Sequence, residues 1–201
     1  MKALITLLES IQPLSKGSQE YLGKVLKHRK FRKKEFLLRA GDVSKSVYFI
    51  TEGLIRAYYY KGPKEVNSWF MKEGDMSLSI ESFYDQTASY ESIQALEDCD
   101  VYSIDFPELE YMYQTFPEFN IIGRVLTIKY HKLWAQQLYS IRAHDARARY
   151  YWLRDNHPDL LLRVPAKYIA SYLDVTEVTL SKIKGKRRLP RSSVNKSSLL
   201  D

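Results

Sequence analysis

The chain has 201 residues, 45% hydrophobic and 13% aromatic, with 31 Lys and Arg against 24 Asp and Glu for a formal net charge of +7. That is enough apolar chain for one large or two small packed domains, which excludes intrinsic disorder. One cysteine, Cys99, excludes an internal disulfide and the thiolate set of a zinc ribbon or iron–sulfur cluster, and no apolar run reaches the roughly 18 residues of a membrane span.

Residues 3–8 are too short an apolar stretch for a signal peptide, so the expected setting is a reducing cytoplasm. Leu4, Leu7, Leu8 and Ile11, then Tyr21, Leu22, Val25 and Leu26, recur at helical spacing on either side of Pro13, which predicts two short helices. From Arg29 the period becomes two. Phe31, Phe36 and Leu38 lead to the Gly41-Asp42 turn, and segments 47–50, 54–60, 66–71, 76–80, 90–96 and 99–104 follow, punctuated by Gly53 and Gly62-Pro63. About eight strands in some 75 residues describe a small sandwich or barrel.

Pro107 opens a helix, with Glu108 and Glu110 suited to its positive end. A second helix starts after Pro117 and runs to about Arg142. It is apolar on two sides, with Ile121, Val125 and Ile128 in one stripe and Ile122, Leu126, Tyr130 and Leu133 in another, continuing through Trp134, Leu138 and Ile141. One side is expected to cover the β domain and the other to meet its own copy in a homodimer, with Ile122, Leu126 and Leu133 at that interface. The alternative is a helix wholly inside a monomeric core. Residues 145–156 are again helical in pattern and end at the His157-Pro158 break, before a basic C-terminal region.

Residues 164–189, VPAKYIASYLDVTEVTLSKIKGKRRL, are the most informative segment. Pro165 starts a helix whose buried positions are Ile169, Ala170 and Leu173; Asp174-Val175 forms a turn; Thr176 caps a second helix with Leu180 and Ile183 inward. This is the spacing of a helix-turn-helix, the small Ala170 allowing a close crossing. Outward lie Glu177, Thr179, Ser181, Lys182 and Lys184, side chains able to reach base edges and phosphates of double-stranded DNA. Lys186, Arg187 and Arg188 extend the cationic run, and with Thr176 complete the predicted contact set.

Charge is partitioned along the chain. Residues 1–72 are net +9, residues 73–123 hold 12 acids and no Lys or Arg, and residues 124–201 are net +10. Such a layout suggests a basic end for a polyanion and a different task for the acidic middle.

Taken in order, residues 38–42, Tyr48-Phe49-Ile50, Gly53, Gly74-Asp75, Pro107 and the segment 164–189 resemble the Crp/Fnr family of transcription regulators. The run at residues 147–176, RARYYWLRDNHPDLLLRVPAKYIASYLDVT, is similar to that of members from Bacteroidetes-type bacteria. The resemblance implies an α+β chain: a double-stranded β-helix or jelly-roll domain of the cyclic-nucleotide-binding type over 1–116, a dimerisation helix over 117–142, and a helix-turn-helix domain with basic tail over 143–201. It implies DNA, a second copy and RNA polymerase as partners, and neither membrane attachment nor catalysis.

Two departures from the family pattern matter. Counting from Gly74-Asp75, Leu78 and Ser79 stand where cyclic-nucleotide-binding members carry the Gly-Glu pair for the ribose, and Ser89 and Tyr90 where they carry the Arg-Ser pair for the cyclic phosphate. A buried phosphodiester needs a charge partner, so cyclic AMP is not the expected effector. With Ile80, these residues form the candidate effector pocket for an unidentified neutral or cationic molecule; Tyr58, Tyr60, Tyr84 and Tyr90 either line it or merely fill the roll. At the other end, Asp174 replaces the usual turn glycine, Glu177-Val178-Thr179 replaces Arg-Glu-Thr, and too few residues follow Leu189-Pro190 for a β-hairpin wing, so either the wing is reduced or absent or the chain is truncated.

The rival readings fit less well. His144-Asp145 lacks the further histidine and aspartate of a metal phosphohydrolase and Asp145 suits a helix cap, while His28, His131 and His157 lack ligand spacing. Neither a haem nor another cofactor is expected. A kinase or channel module would keep the roll without residues 164–189.

Overall fold

The computed structural model describes residues 1–185. Among them the strands are β1 (Lys27–Phe31), β2 (Phe36–Leu38), β3 (Ser46–Glu52), β4 (Ile55–Lys61), β5 (Lys64–Met71), β6 (Met76–Ser77), β7 (Glu91–Ala95) and β8 (Cys99–Asp105). They form two antiparallel four-stranded sheets, ordered β1-β8-β3-β6 and β2-β7-β4-β5, a jelly roll. Side-chain alternation sorts each strand between two environments. Tyr48 and Ile50 of β3 join Ile55, Ala57, Ile93, Ala95 and Val101 in the roll interior, whereas Val47 and Phe49 join a separate outer core. Gly53, in the β3–β4 turn, has φ +100°, and a Cβ there would lie 2.5 Å from the Asp98 carbonyl oxygen. Only glycine lets this turn rest on the one between β7 and β8.

Helices cover both outer faces of the roll. Over the first sheet lie α1 (Lys2–Ile11), α2 (Lys16–Val25), α4 (Phe106–Thr115) and the start of α5 (Pro117–Ala143). Leu4, Leu8, Leu22, Met112, Phe119 and Ile122 pack there against Phe49 and Ile104. Pro107 and Pro117 sit in the first turns of α4 and α5, as their fixed φ favours.

Two expectations are corrected. Strand pairing stops after Ser77, and Ile80–Asp85 is the helix α3, not the end of a strand. A helix of six residues, held to the segment before β3 by the Ser44 N–H donating to Ser82 Oγ at 2.8 Å, is too short to leave a readable period. Ile122 does not face a second copy: it is 2% exposed in the chain's own core, and Leu126 packs partly against the same core. The outward residues of α5 include Ile121, Val125, Ile128 and Trp134, 37–56% exposed, with Leu133 at 36%.

The outer face of the second sheet is covered by α6 (Ala146–Asn156), α7 (Pro158–Arg163), α8 (Ala166–Tyr172) and α9 (Glu177–Gly185). Leu54, Phe70 and Leu96 of the roll share one core with Tyr150, Leu153, Leu160, Ile169, Ala170, Leu173, Leu180 and Ile183. Polar contacts fix the same seam. Arg56 of β4, 2% exposed, stacks 3.9 Å from the ring centroids of both Tyr58 and Tyr168 and donates to Gln94 and Glu65. Arg163 of α7 bridges Glu73 and Glu97 at 2.6–3.2 Å.

The β1–β8 pairing brings the N-terminal basic block onto the acidic one. Lys27 and Arg29 meet Asp105, while His28 and Lys30 meet Asp100.

Candidate functional site

Residues 173–176 join α8 to α9. Leu173 ends α8, Asp174 takes φ +50°, and the Val175 N–H donates to the Ala170 carbonyl at 2.9 Å. Aspartate tolerates this left-handed conformation better than most residues, so the turn forms without glycine. Thr176 Oγ1 then accepts from the Thr179 N–H at 3.1 Å, satisfying a free donor at the start of α9. Leu180 and Ile183 are buried, which locks the rotation of α9 about its axis.

That rotation places the sequence-predicted residues together. Thr176, Glu177, Ser181, Lys182 and Lys184 are exposed, and Thr179 is half-buried beside the cap. Glu177 occupies the first turn and Lys182 and Lys184 the last, the charge order that the helix dipole favours. Lys186, Arg187 and Arg188, and with them any wing, lie outside the described residues.

Arg147, not singled out by the sequence, shares a cleft of about 370 Å³ with Asp145, Thr179, Lys182 and Ile183. The Arg-Ala-Arg run at 147–149 was its only signal. Asp145 itself caps α6, its Oδ1 accepting from the Ala148 N–H at 2.8 Å.

In the roll, Ser79 and Ser89 are buried with their hydroxyls 3.0 Å apart. Ser89 Oγ also donates to the Glu91 carbonyl at 2.8 Å and accepts from its N–H at 3.1 Å. Leu78 is half-buried, whereas Ile80 and Tyr90 are 64% and 63% exposed, so the five residues do not close a common pocket. Burial pushes the Glu91 carboxyl above the ordinary carboxylate range, opposed by the hydroxyls of Ser79 and Ser68. Tyr60 and Tyr84 are exposed, and Tyr58 stacks on Arg56 at the seam with the C-terminal helices. Arg56, a cation outside the 73–123 count, faces the C-terminal helices instead, and its hydrogen bonds are taken by Gln94, Glu65 and Asn67.

Among the described residues, no group of three or more His, Cys, Asp and Glu could hold a metal ion, and no helix is long and apolar enough to cross a membrane.

Residues 28–116 match the cyclic nucleotide-binding domain family. No curated protein sequence matches the chain. Its fold is similar to that of a CooA mutant from Carboxydothermus hydrogenoformans, at 22% identity over 89% of this chain and 82% of that one, with a TM-score of 0.67. FixK2 from Bradyrhizobium japonicum is similar at 17% identity over 80% and 83%, TM-score 0.69. A transcriptional regulator described as of the Crp/Fnr family, from Eubacterium rectale, is similar at 14% identity over 85% and 82%, TM-score 0.67. The chain therefore carries a cyclic nucleotide-binding-type jelly roll followed by helices, in the arrangement of these three structures.

Proposed function

We propose that the chain is a homodimeric, sequence-specific DNA-binding transcription regulator of the Crp/Fnr type, with a sensor roll over 1–116, a dimerisation helix over 117–142 and a DNA-binding domain over 143–201. The observation that carries this reading is the exposed face of α9, where Glu177, Ser181, Lys182 and Lys184 project from a helix whose other side is locked by Leu180 and Ile183. With α8 it forms a helix-turn-helix whose second helix enters the major groove. The exposed stripe Ile121, Val125 and Ile128 on α5 supports pairing with a second copy, because apolar side chains at this spacing are stabilised by a facing helix. Two α9 helices would then meet successive major grooves about 34 Å apart. The protein acts in the cytoplasm by binding rather than catalysis, with RNA polymerase as a further partner.

The effector of this regulator is not a cyclic nucleotide. The Ser79–Ser89 hydroxyl contact stands where the ribose and phosphate partners would be, and residues 73–123 supply no cation. A buried phosphodiester is an anion, and leaving it without a charge partner costs more than burying an unpaired neutral polar group.

Selection of duplexes from a random library, followed by footprinting, tests the DNA reading. Two protected half-sites and an affinity falling steeply with salt are expected, and salt-insensitive binding or protection of one half-site only would overturn it. Lys182→Ala should relax base preference at one position of each half-site. Titration with cyclic AMP should leave the melting temperature unchanged, and saturable stabilisation at micromolar ligand would refute the effector reading.

A further inference from the structure

We propose that Arg149 is the residue that sets the angle of α9 relative to α5, and through it the half-site spacing that the dimer accepts. This rests on the DNA-binding reading above and adds a residue that reading does not use.

The geometry is that of a pin through three segments. Arg149 lies on α6, and its Nε donates to the Leu173 carbonyl at 3.0 Å. Its Nη1 donates to the carbonyls of Ile141 at 3.1 Å and His144 at 2.8 Å, and Nη2 has a longer contact, 3.5 Å, with that of Asp174. Ile141 is in the last turn of α5 and His144 is its C-cap; Leu173 is the C-cap of α8, and Asp174 is the left-handed residue of the turn into α9. Two helix C-termini, each with carbonyls lacking an intrahelical partner and each at the negative end of a dipole, therefore converge on one cation.

A planar guanidinium is suited to this joint. It presents five N–H donors in a fixed fork, so bonds to both helix ends hold them at one relative angle. An ammonium offers a point charge on a flexible stem and satisfies the charge without fixing the angle. Only His144 and Asp145 separate α5 from α6, so Arg149 sits at the shortest link between α5 and the C-terminal helices, which the roll holds from the other side. In a dimer built on α5, any swing of α9 about this joint is doubled between the two recognition helices.

The test separates positioning from charge and from stability. Nitroxides are placed at Gln136→Cys on α5 and Val178→Cys on α9, both exposed. Cys99 is buried, its thiol pushed up to about 11, and stays unlabelled. Labelled chain is diluted with unlabelled wild type, and the distance distribution is measured by electron–electron double resonance. A single narrow peak is expected for Arg149, and at least a doubled width for Arg149→Lys. Equal widths overturn the proposal. Arg149→Gln, which keeps an amide donor for one carbonyl, is read in the same way should the lysine variant fail to fold.

In parallel, the duplex selected by the wild-type protein is remade with its centre lengthened or shortened by one base pair. The wild type should discriminate against these at least tenfold, and Arg149→Lys threefold or less with an unchanged salt slope. Retained tenfold discrimination overturns the proposal, and so does a reduced salt slope, which would make Arg149 a phosphate contact. A narrow-to-broad change in distance with no duplex selected by the wild type would instead sustain the joint and overturn the DNA reading.

Discussion

The hydroxyl of Ser171 on α8 accepts a hydrogen bond from the main-chain N–H of Asn67 on β5 at 3.0 Å, while donating to the Glu65 carbonyl at 3.0 Å. One side chain thus completes the open edge of the second sheet and ties the C-terminal helices to the roll. An edge strand otherwise leaves such groups unpaired.

Ser171→Ala should destabilise the chain by about 1–3 kcal/mol, because it strands a donor and an acceptor where helix packing keeps water away. Urea unfolding checks this, and a midpoint equal to that of the wild type would show that the edge is solvated.

Acid should loosen the same seam. The hydrogen bond from Arg163 holds the Glu73 carboxyl at about 2, below its ordinary 4.5. A depressed folded-state pKa contributes stability that is complete above the unfolded value and is lost as pH falls from about 4.5 toward 2. Calorimetry of Glu73→Gln should therefore show a shallower decline in melting temperature across that window than the wild type, which retains the linkage. Glu118 titrates in the same range, held down by hydrogen bonds from Ser15 and Ser18, so a residual slope is expected.

The two stripes of α5 should respond differently to mutation. Ile128→Glu, at a 44% exposed position, should give a folded monomer of 23.6 kDa in sedimentation analysis. Ile122→Ala should leave the association state unchanged and lower stability by about 2–5 kcal/mol, as expected for truncation in a packed core. A reversal of these outcomes would return Ile122 to an interface between copies.

Gly53→Ala should be among the most damaging single-methyl additions. The new Cβ would meet main-chain and side-chain atoms of Asp98 and Cys99 at 2.5–2.9 Å, and the residue would keep φ near +100°. Steric overlap and backbone strain together amount to about 2–5 kcal/mol. Thermal melting measures it.

Legibility in the sequence followed the physical range of each signal. The roll and the α8–α9 pair were readable because strand alternation, Pro107, Pro117, Thr176 and the Leu180–Ile183 spacing act within a few residues of themselves. Which side of α5 faces inward was not readable, since both stripes are apolar and only the placement of Met112 and Phe119 beside Ile122 decides between them. Arg56 was invisible as a seam residue because its partners come from β5, β7 and α8. Arg149 was harder still: its acceptors are main-chain carbonyls, which every residue possesses and no side-chain pattern marks.

The pairing of β1 with β8 reaches beyond the sheet that contains it. By laying a net +9 block on a net −12 block it leaves the first 123 residues at −3, while the remaining chain carries +10. The protein is consequently dipolar along its sequence, with the positive excess in residues 124–201. A polyanion would exert a torque on it at distances of about a Debye length, roughly 8 Å in physiological salt, and turn it before contact. An approaching polyanion would thus be drawn to the C-terminal part of the chain ahead of the roll.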